Sequence, residues 1–118
     1  MAEGPIKHRV GKTPLVRAVK LEKELGIKKI FLKLEGNNPS GHREDRLADL
    51  LIRDAMAVGK DTICLGTLDK LGASIAYLSP YYGLKTVFVL QRGSKATKNK
   101  IFSKPHVELI TVDQPSNA

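Results

Sequence analysis

The chain has 118 residues, of which 42% are hydrophobic and 27% are charged, and this balance excludes a wholly disordered polypeptide. Its net charge of +8 favours acidic partners but does not define a fold. The single cysteine, Cys64, excludes an internal disulfide, and its apolar neighbours predict a buried thiol. Because no apolar run approaches about 18 residues and no secretory leader is recognisable, we expect a cytoplasmic protein without membrane contact.

The first third of the chain predicts an extended arm, a short helix and a strand. Residues 1–12 are polar and rich in helix breakers, so we expect an arm that precedes a single domain over residues 13–113. Thr13 and Pro14 suit the cap and first position of a helix that Gly26 ends. The charged residues of this helix are expected to face water: Lys20, Glu22, Lys23 and Glu24. Alternating apolar residues over 28–34 predict a strand.

The remaining two thirds alternate between helices and strands. Periodic apolar residues predict a helix over about residues 43–58, whose core-facing positions are Leu47, Leu50, Leu51, Ala55 and Val58. A second helix is predicted over 72–82, where Pro80 should kink it or end it early. A short basic helix is predicted over 94–103. Three strands are predicted, over residues 62–65, 85–90 and 107–112. Residues 114–118 are expected to form a flexible tail.

This order of elements predicts an α/β fold. Helices that connect successive strands over some 20 residues are typical of βαβ units with right-handed crossovers. We therefore expect a small three-layer domain in which a parallel sheet of about four strands carries flanking helices.

A turn rich in Asn, Pro, Ser and Gly joins the first predicted strand to the long helix. The unpaired N–H groups and the positive dipole end of a helix start can hold an anion. The candidate anion-binding residues at this turn are Ser40, Gly41, Arg43 and Arg46. Glu44, Asp45 and His42 could alternatively form an acid–base group, but acidic residues in a first helical turn more often stabilise the helix dipole.

A basic stretch near the end of the chain is a candidate polyanion-binding surface. Its cationic residues are Arg92, Lys95, Lys98, Lys100 and Lys104. Only one aromatic residue, Phe102, accompanies them, whereas single-stranded nucleic-acid recognition usually uses several aromatic platforms. A solvated basic face is therefore the favoured interpretation, and nucleic-acid binding is not favoured. His8 and His106 are interpreted as ordinary surface residues, and no metal site can be assembled from the scattered histidines.

Several motifs resemble those of one enzyme family. The stretch GKTPLVRAVKLEKELGIKKIFLKLEGNNPSG, followed by LGASIAY and KTVFVL, resembles the N-terminal part of the fold-type II pyridoxal-phosphate enzymes. These enzymes include threonine synthase, which the EGNNPSG wording resembles most, cysteine synthase and the tryptophan synthase β chain. The resemblance implies the small domain of that fold, without the larger part that carries a Gly-rich loop for the cofactor phosphate.

The sequence departs from the family pattern where the chemistry is expected. The resemblance places Glu44 at the position of the lysine that forms a Schiff base with the cofactor, and a carboxylate cannot form an imine. The family's substrate-carboxylate loop corresponds to residues 67–72, where Asp69 would repel a carboxylate and Lys70 replaces an asparagine. Thr67, Lys70 and Gly72 remain candidate anion-binding residues in this loop.

Three hypotheses follow from these departures. The first is a non-catalytic relative, with no catalytic residue and no bound cofactor, that acts by binding or assembly. The second is one half of a split lyase or synthase, in which a partner chain supplies the phosphate loop and a lysine for pyridoxal phosphate. The third is a polyanion-binding or nucleic-acid-binding module. Without the larger part, Ile30, Phe31 and Leu32 should be exposed, so we expect a homodimer or a partner chain that covers them.

Overall fold

A computed structural model describes residues 9–113 of the chain. The predictions for residues 1–8 and 114–118 lie outside the described residues. The strands are β1 (Leu15–Arg17), β2 (Phe31–Lys33), β3 (Thr62–Leu65), β4 (Lys85–Gln91) and β5 (Val107–Val112). The α-helices are α1 (Val19–Leu25), α2 (Asp45–Ala57) and α3 (Lys70–Leu78). Short 3₁₀ turns cover Glu35–Asn37, Ser79–Tyr82, Lys95–Lys98 and Lys100–Ser103.

The N-terminal segment forms a small unit of its own, which corrects two predictions. Residues Leu15–Arg17 form a strand rather than the first turn of a helix, because they pair antiparallel with β2, Val16 opposite Leu32. For the same reason β2 does not join the parallel sheet, which has three strands rather than about four. All six residues of this ribbon are exposed. The helix end predicted at Gly26 is confirmed, with a left-handed φ of 67°.

Glu22 lies at the centre of this unit, and the prediction that it faces water was wrong. The residue is 6% exposed, and its carboxylate accepts hydrogen bonds from Arg17 Nη2 at 2.6 Å and from the Ile30 backbone N–H at 2.9 Å. The hydrogen bond from Arg17 is the main reason that the pKa of Glu22 is lowered. Glu22 therefore ties the end of β1 to the residue that precedes β2.

The core sheet confirms the α/β prediction. Strand β4 lies between β3 and β5, and both pairings are parallel. Its residues alternate between buried and partly buried, and the fully buried Phe88 packs edge-on against Phe102 with 5.5 Å between ring centroids. Helix α3 packs against α2, and Ile52, Ile75 and Leu78 belong to the same buried apolar cluster.

Helix α2 turns a different face to the core from the one that was predicted. The residues with no exposed surface are Asp45, Ala48 and Ile52, and Ala55 packs beside them. The predicted core positions Leu47, Leu50, Leu51 and Val58 are 46%, 62%, 38% and 65% exposed. The predicted apolar residues do recur at helical spacing, but they lie on a second face of α2 that nothing in the described chain covers. Cys64 is likewise exposed, so the prediction of a buried thiol was wrong.

Helix α3 begins and ends for identifiable reasons. Asp69 caps its start by accepting a hydrogen bond from the Gly72 backbone N–H at 2.8 Å. The α-helical geometry ends at Leu78, just before Pro80, as predicted, and continues as a 3₁₀ turn. The predicted basic helix consists instead of the two 3₁₀ turns over Lys95–Lys98 and Lys100–Ser103. None of the helices in the described chain is long and apolar enough to cross a bilayer.

Gly72 provides a test of the packing between α3 and the sheet. A Cβ atom at this position would lie 3.1 Å from both Phe88 Cε1 and the Thr67 carbonyl oxygen. We expect Gly72→Ala to lower the free energy of unfolding by about 1–3 kcal/mol, because a buried ring and a backbone carbonyl must move. The matched control is Gly66→Ala, where a Cβ would meet nothing within 4 Å. Urea denaturation measures both variants, and equal midpoints would contradict the prediction.

Candidate functional site

The turn between β2 and α2 is shaped by backbone geometry. Residues Glu35–Asn37 form a 3₁₀ turn, and the Gly41 backbone N–H donates to the Asn38 carbonyl at 2.8 Å. Gly41 has a φ of 89°, a left-handed value that residues with a Cβ rarely adopt. This glycine therefore lets the chain turn between the 3₁₀ segment and the start of α2 at Asp45.

A buried carboxylate holds the far side of this turn. Asp45 has no exposed surface, and its carboxylate accepts the Ser40 backbone N–H at 2.7 Å and the Ser40 hydroxyl. The Ser40 hydroxyl also lies 3.2 Å from that of Ser74 in α3. Because Ser40 gives its only hydroxyl proton to Asp45, Ser74 is the donor in this second contact. The turn is thereby linked to α2 and α3 together.

A second carboxylate, Glu35, holds the near side of the turn. Its oxygens accept hydrogen bonds from Arg46 Nε at 2.7 Å, Arg46 Nη2 at 2.9 Å and the Thr13 hydroxyl at 2.8 Å. Arg46 also donates to the Gly11 carbonyl at 3.1 Å, and the Gly11 N–H donates to Asn38 Oδ1 at 2.8 Å. These contacts join the N-terminal arm, the turn and α2 at one point.

The charge state of Glu35 reflects these contacts. The Arg46 guanidinium, with help from the Thr13 hydroxyl and the Asn38 amide, lowers the pKa of Glu35 from 4.5 to about 2, although partial burial opposes the shift. The same pairing raises the pKa of Arg46. Glu35 and Arg46 are therefore a fixed, fully charged pair at neutral pH.

Glu44 stands at the start of α2 without a capping hydrogen bond from its side chain. Its carboxylate lies 3.5 Å from Arg43 Nε in a loose ion pair, in which the Arg43 side chain is 79% exposed. His42 lies on the other side of Arg43, and its Nδ1 is 3.3 Å from the Ser40 hydroxyl. Of the three residues suggested as an acid–base group, Asp45 and His42 both contact the Ser40 hydroxyl, whereas Glu44 approaches Arg43 instead.

The second candidate loop is closed by its own acidic residue. The Asp69 side chain accepts the N–H of Gly72, the donor that an external anion would need. Gly72 is buried beneath Phe88, while Thr67 and Lys70 are exposed. We expected Asp69 to repel a substrate carboxylate. The structure shows that its own carboxylate occupies the hydrogen-bond donor that such a substrate would use.

The structure divides the sequence-predicted anion-binding residues into two groups. Ser40, Arg46 and Gly72 donate to internal carboxylates, which an incoming anion would have to displace. Gly41, Arg43, Thr67 and Lys70 are exposed. Their role in anion binding stays a prediction.

The residues of the basic stretch lie in two different surroundings. Arg92 Nε lies 3.5 Å from Asp113 Oδ1 in an exposed ion pair. Lys95 and Lys98 are exposed at the two ends of the Lys95–Lys98 3₁₀ turn. Lys100 and Lys104 instead line a cleft of about 400 Å³ beside α3. Ser40 and His42 line the same cleft, so the fold brings part of the helix-start turn close to part of the basic stretch.

His106 also lines this cleft, and the interpretation of it as an ordinary surface residue was wrong. Its Nε2 donates a hydrogen bond to the Ala76 carbonyl at 2.9 Å. In a regular helix that carbonyl would bind the N–H of residue 80, but Pro80 has none. The sequence signal for this role was the proline itself, which leaves one helical carbonyl without a donor. In the described part of the chain, no three His, Cys, Asp or Glu side chains are grouped as metal ligands.

Comparison with known proteins identifies related sequences. Residues 6–118 match the family described as "Pyridoxal-phosphate dependent enzyme". The chain is 37% identical over 86 residues to threonine synthase of Methanocaldococcus jannaschii, an alignment that covers 73% of this chain and 21% of that protein. It is 35% identical over 100 residues to the O-acetylserine dependent cystathionine beta-synthase of Bacillus subtilis, with coverages of 81% and 32%.

A solved structure agrees with these sequence matches. The O-acetylserine dependent cystathionine beta-synthase from Helicobacter pylori superimposes with a TM-score of 0.67 and 28% identity, over 96% of this chain and 39% of that one. The chain thus spans between 21% and 39% of the length of these relatives.

The Glu35 contacts predict a defined dependence of stability on pH. Because the pKa of Glu35 is lowered in the folded state, its contribution is present above about pH 4.5 and is lost as the pH falls towards about 2. We expect Glu35→Gln to be less stable than the wild type at neutral pH, and the difference to shrink on acidification. Urea midpoints measured from neutral pH to about pH 3 test this, with the exposed Glu24→Gln as the matched control. A difference that is as large at low pH as at neutral pH would contradict the assignment.

Proposed function

This chain belongs to the pyridoxal-phosphate dependent enzyme family of fold type II, and we propose that it is a non-catalytic member that acts by binding or assembly. Family membership confirms the resemblance read from the sequence. It does not by itself assign an activity, because this chain covers less than half of each relative described above.

The proposal rests on the carboxylate of Glu44, which stands where the resemblance read from the sequence implies the family's lysine. A carboxylate cannot form an imine with an aldehyde. Its neighbour Asp45 is held by two hydrogen bonds from Ser40, so the start of α2 beside Glu44 is anchored to the turn. The residues present therefore do not fit the covalent attachment of pyridoxal phosphate.

The hydrogen-bond donors of the two candidate anion-binding loops support the same proposal. Asp45, Glu35 and Asp69 accept the N–H groups and the guanidinium that would otherwise face a ligand anion. Each is an internal, charge-assisted contact, and such bonds are shorter and stronger than those between neutral groups. We interpret the turn first as a structural junction.

A split enzyme is the second candidate function, and it is supported by apolar surface that a partner chain could cover. Phe31 and Leu32 are 51% and 43% exposed, and Leu50 on α2 is 62% exposed. A partner chain that covered Ile30, Phe31 and Leu32 could also supply a phosphate loop and a lysine. In this case pyridoxal phosphate would be bound only in the presence of the partner.

Binding of a polyanion, including nucleic acid, is the third candidate function. Lys95 and Lys98 are exposed and close together, and a surface of this kind binds polyanions with an affinity that falls steeply with salt. Titration with a nucleic-acid fragment at two salt concentrations separates this candidate from the others.

Cofactor trapping tests the main proposal. With pyridoxal phosphate and borohydride, we expect the wild type to show only scattered, non-saturable labelling of exposed lysines outside the cleft lined by Lys100 and Lys104, since position 44 offers no amine. Glu44→Lys restores an amine there, and Glu44→Gln is the matched control for the loss of charge. Peptide mapping by mass spectrometry locates the label. A single wild-type lysine that is fully labelled at one equivalent of cofactor, and that lies outside the cleft lined by Lys100 and Lys104, would overturn the non-catalytic proposal.

Self-association tests the assembly part of the proposal. We expect a dimer by sedimentation velocity, because an exposed two-stranded ribbon with apolar side chains gains stability from a second copy. Phe31→Glu should shift the protein towards the monomer, whereas Lys60→Glu, at another exposed site, should not. Circular dichroism checks that both variants are folded. A wild-type protein that sediments as a monomer alone would contradict the prediction.

A further inference from the structure

The cleft of about 400 Å³ beside α3 falls within the usual size range of small-molecule sites. Its walls come from three separate parts of the chain: the turn before α2, helix α3 with its 3₁₀ extension, and the segment that leads into β5. Neither Glu44 nor the 67–72 loop lines it, so the cleft borders the junction described above only at Ser40 and His42.

One wall of the cleft is a pair of tyrosines. Tyr77 and Tyr81 lie four residues apart, and their ring centroids are separated by 6.2 Å. The side chains are 42% and 49% exposed, although the residues between them are mostly buried. Ala73, Ala76, Pro80 and Ile101 add further apolar surface. The two ring planes are inclined by 42°, so a flat apolar group can stack on one ring and contact the other.

The rim of the cleft has basic character. Lys100 and Lys104 line it together with His42 and His106, and the described lining residues include no Asp or Glu. Neither lysine takes part in an ion pair among the described residues, whereas the guanidinium groups of Arg17, Arg43, Arg46, Arg53 and Arg92 all do. The two ammonium groups are therefore available to an anion outside the chain.

The fold fixes two of the cleft's walls relative to each other. His106 donates to the Ala76 carbonyl that Pro80 leaves without a helical donor, and this contact joins the segment before β5 to α3. Ser40 joins the turn before α2 to Ser74 of the same helix. Both contacts are made by the chain itself, so they hold the turn and the segment before β5 against α3.

From this arrangement we propose that the cleft binds a small organic anion that carries a flat apolar group, such as an aromatic carboxylate or an aromatic phosphomonoester. The flat group would lie on Tyr77 and Tyr81, and the anionic group would contact Lys100 and Lys104. This inference deepens the proposed binding function, because it assigns a ligand class to a chain that lacks the family's cofactor lysine.

The test is a titration followed by ¹H–¹⁵N correlation spectra of the full chain. Phenyl phosphate and benzoate are the probes, and they distinguish between a phosphate and a carboxylate as the preferred anionic group. Inorganic phosphate provides the charge without the ring, and benzamide provides the ring without the charge. We expect saturable shifts of the Ala73, Tyr77 and Ile101 amides with at least one of the two aromatic anions, and weaker binding of both reference compounds.

Matched variants separate this site from general charge attraction. The double variant Lys100→Ala/Lys104→Ala should weaken binding by about fivefold, since two exposed charge contacts are lost. The double variant Lys60→Ala/Lys85→Ala removes the same charge at exposed positions outside the cleft and should bind as the wild type does. Tyr77→Ala should weaken the aromatic anions but leave inorganic phosphate unchanged.

Three outcomes would overturn the inference: no saturable shifts with either aromatic anion, equal binding of inorganic phosphate, or equal losses in the two lysine variants. These outcomes are distinguishable from failure of the non-catalytic proposal. Pyridoxal phosphate is itself an aromatic phosphomonoester, so labelling of Lys100 or Lys104 would report binding in the cleft. Saturable labelling of a lysine outside the cleft would instead overturn the non-catalytic proposal, and phenyl phosphate and benzoate cannot reveal it because they have no aldehyde.

Discussion

The pairing of Glu35 with Arg46 is the constraint on which the rest of the structure depends. The carboxylate accepts two hydrogen bonds from the guanidinium, at 2.7 Å and 2.9 Å, and a third from Thr13 at 2.8 Å. Through these bonds the N-terminal ribbon, the turn and α2 share one anchor point. Without it, a ribbon of two three-residue strands would have little to hold it in place, because isolated short hairpins are marginal in water.

The same chemistry explains why a turn with the features of an anion site serves as a junction. A helix start offers N–H groups and a positive dipole end to any anion nearby. In this chain the nearest anions are its own carboxylates: Asp45 takes the Ser40 N–H, and Asp69 takes that of Gly72. An internal carboxylate loses less entropy on binding than a free ligand does, so it competes well for these donors.

The exposed apolar surface is the second feature that shapes our interpretation, because it occurs in a chain that matches only part of its relatives. The β1–β2 ribbon and the Leu47, Leu50 and Leu51 face of α2 are apolar and uncovered, in a chain that spans at most 39% of the relatives compared here. Solvated apolar area of this kind favours association. Assembly and ligand binding at the Tyr77–Tyr81 cleft are compatible, because the cleft is lined by neither of these surfaces.

The sequence by itself determined the α/β class, the order of the core elements, the helix ends at Gly26 and Pro80, and the family. These follow from local periodicity, backbone preferences and motif wording, which act over a few residues. Only the tertiary structure decided that β2 pairs with Leu15–Arg17, that Glu22 is buried, that the leucine face of α2 is exposed, and that Lys100 approaches Ser40 and His42 in one cleft. Each of these depends on contacts between segments far apart in the chain, and local sequence patterns do not determine such contacts.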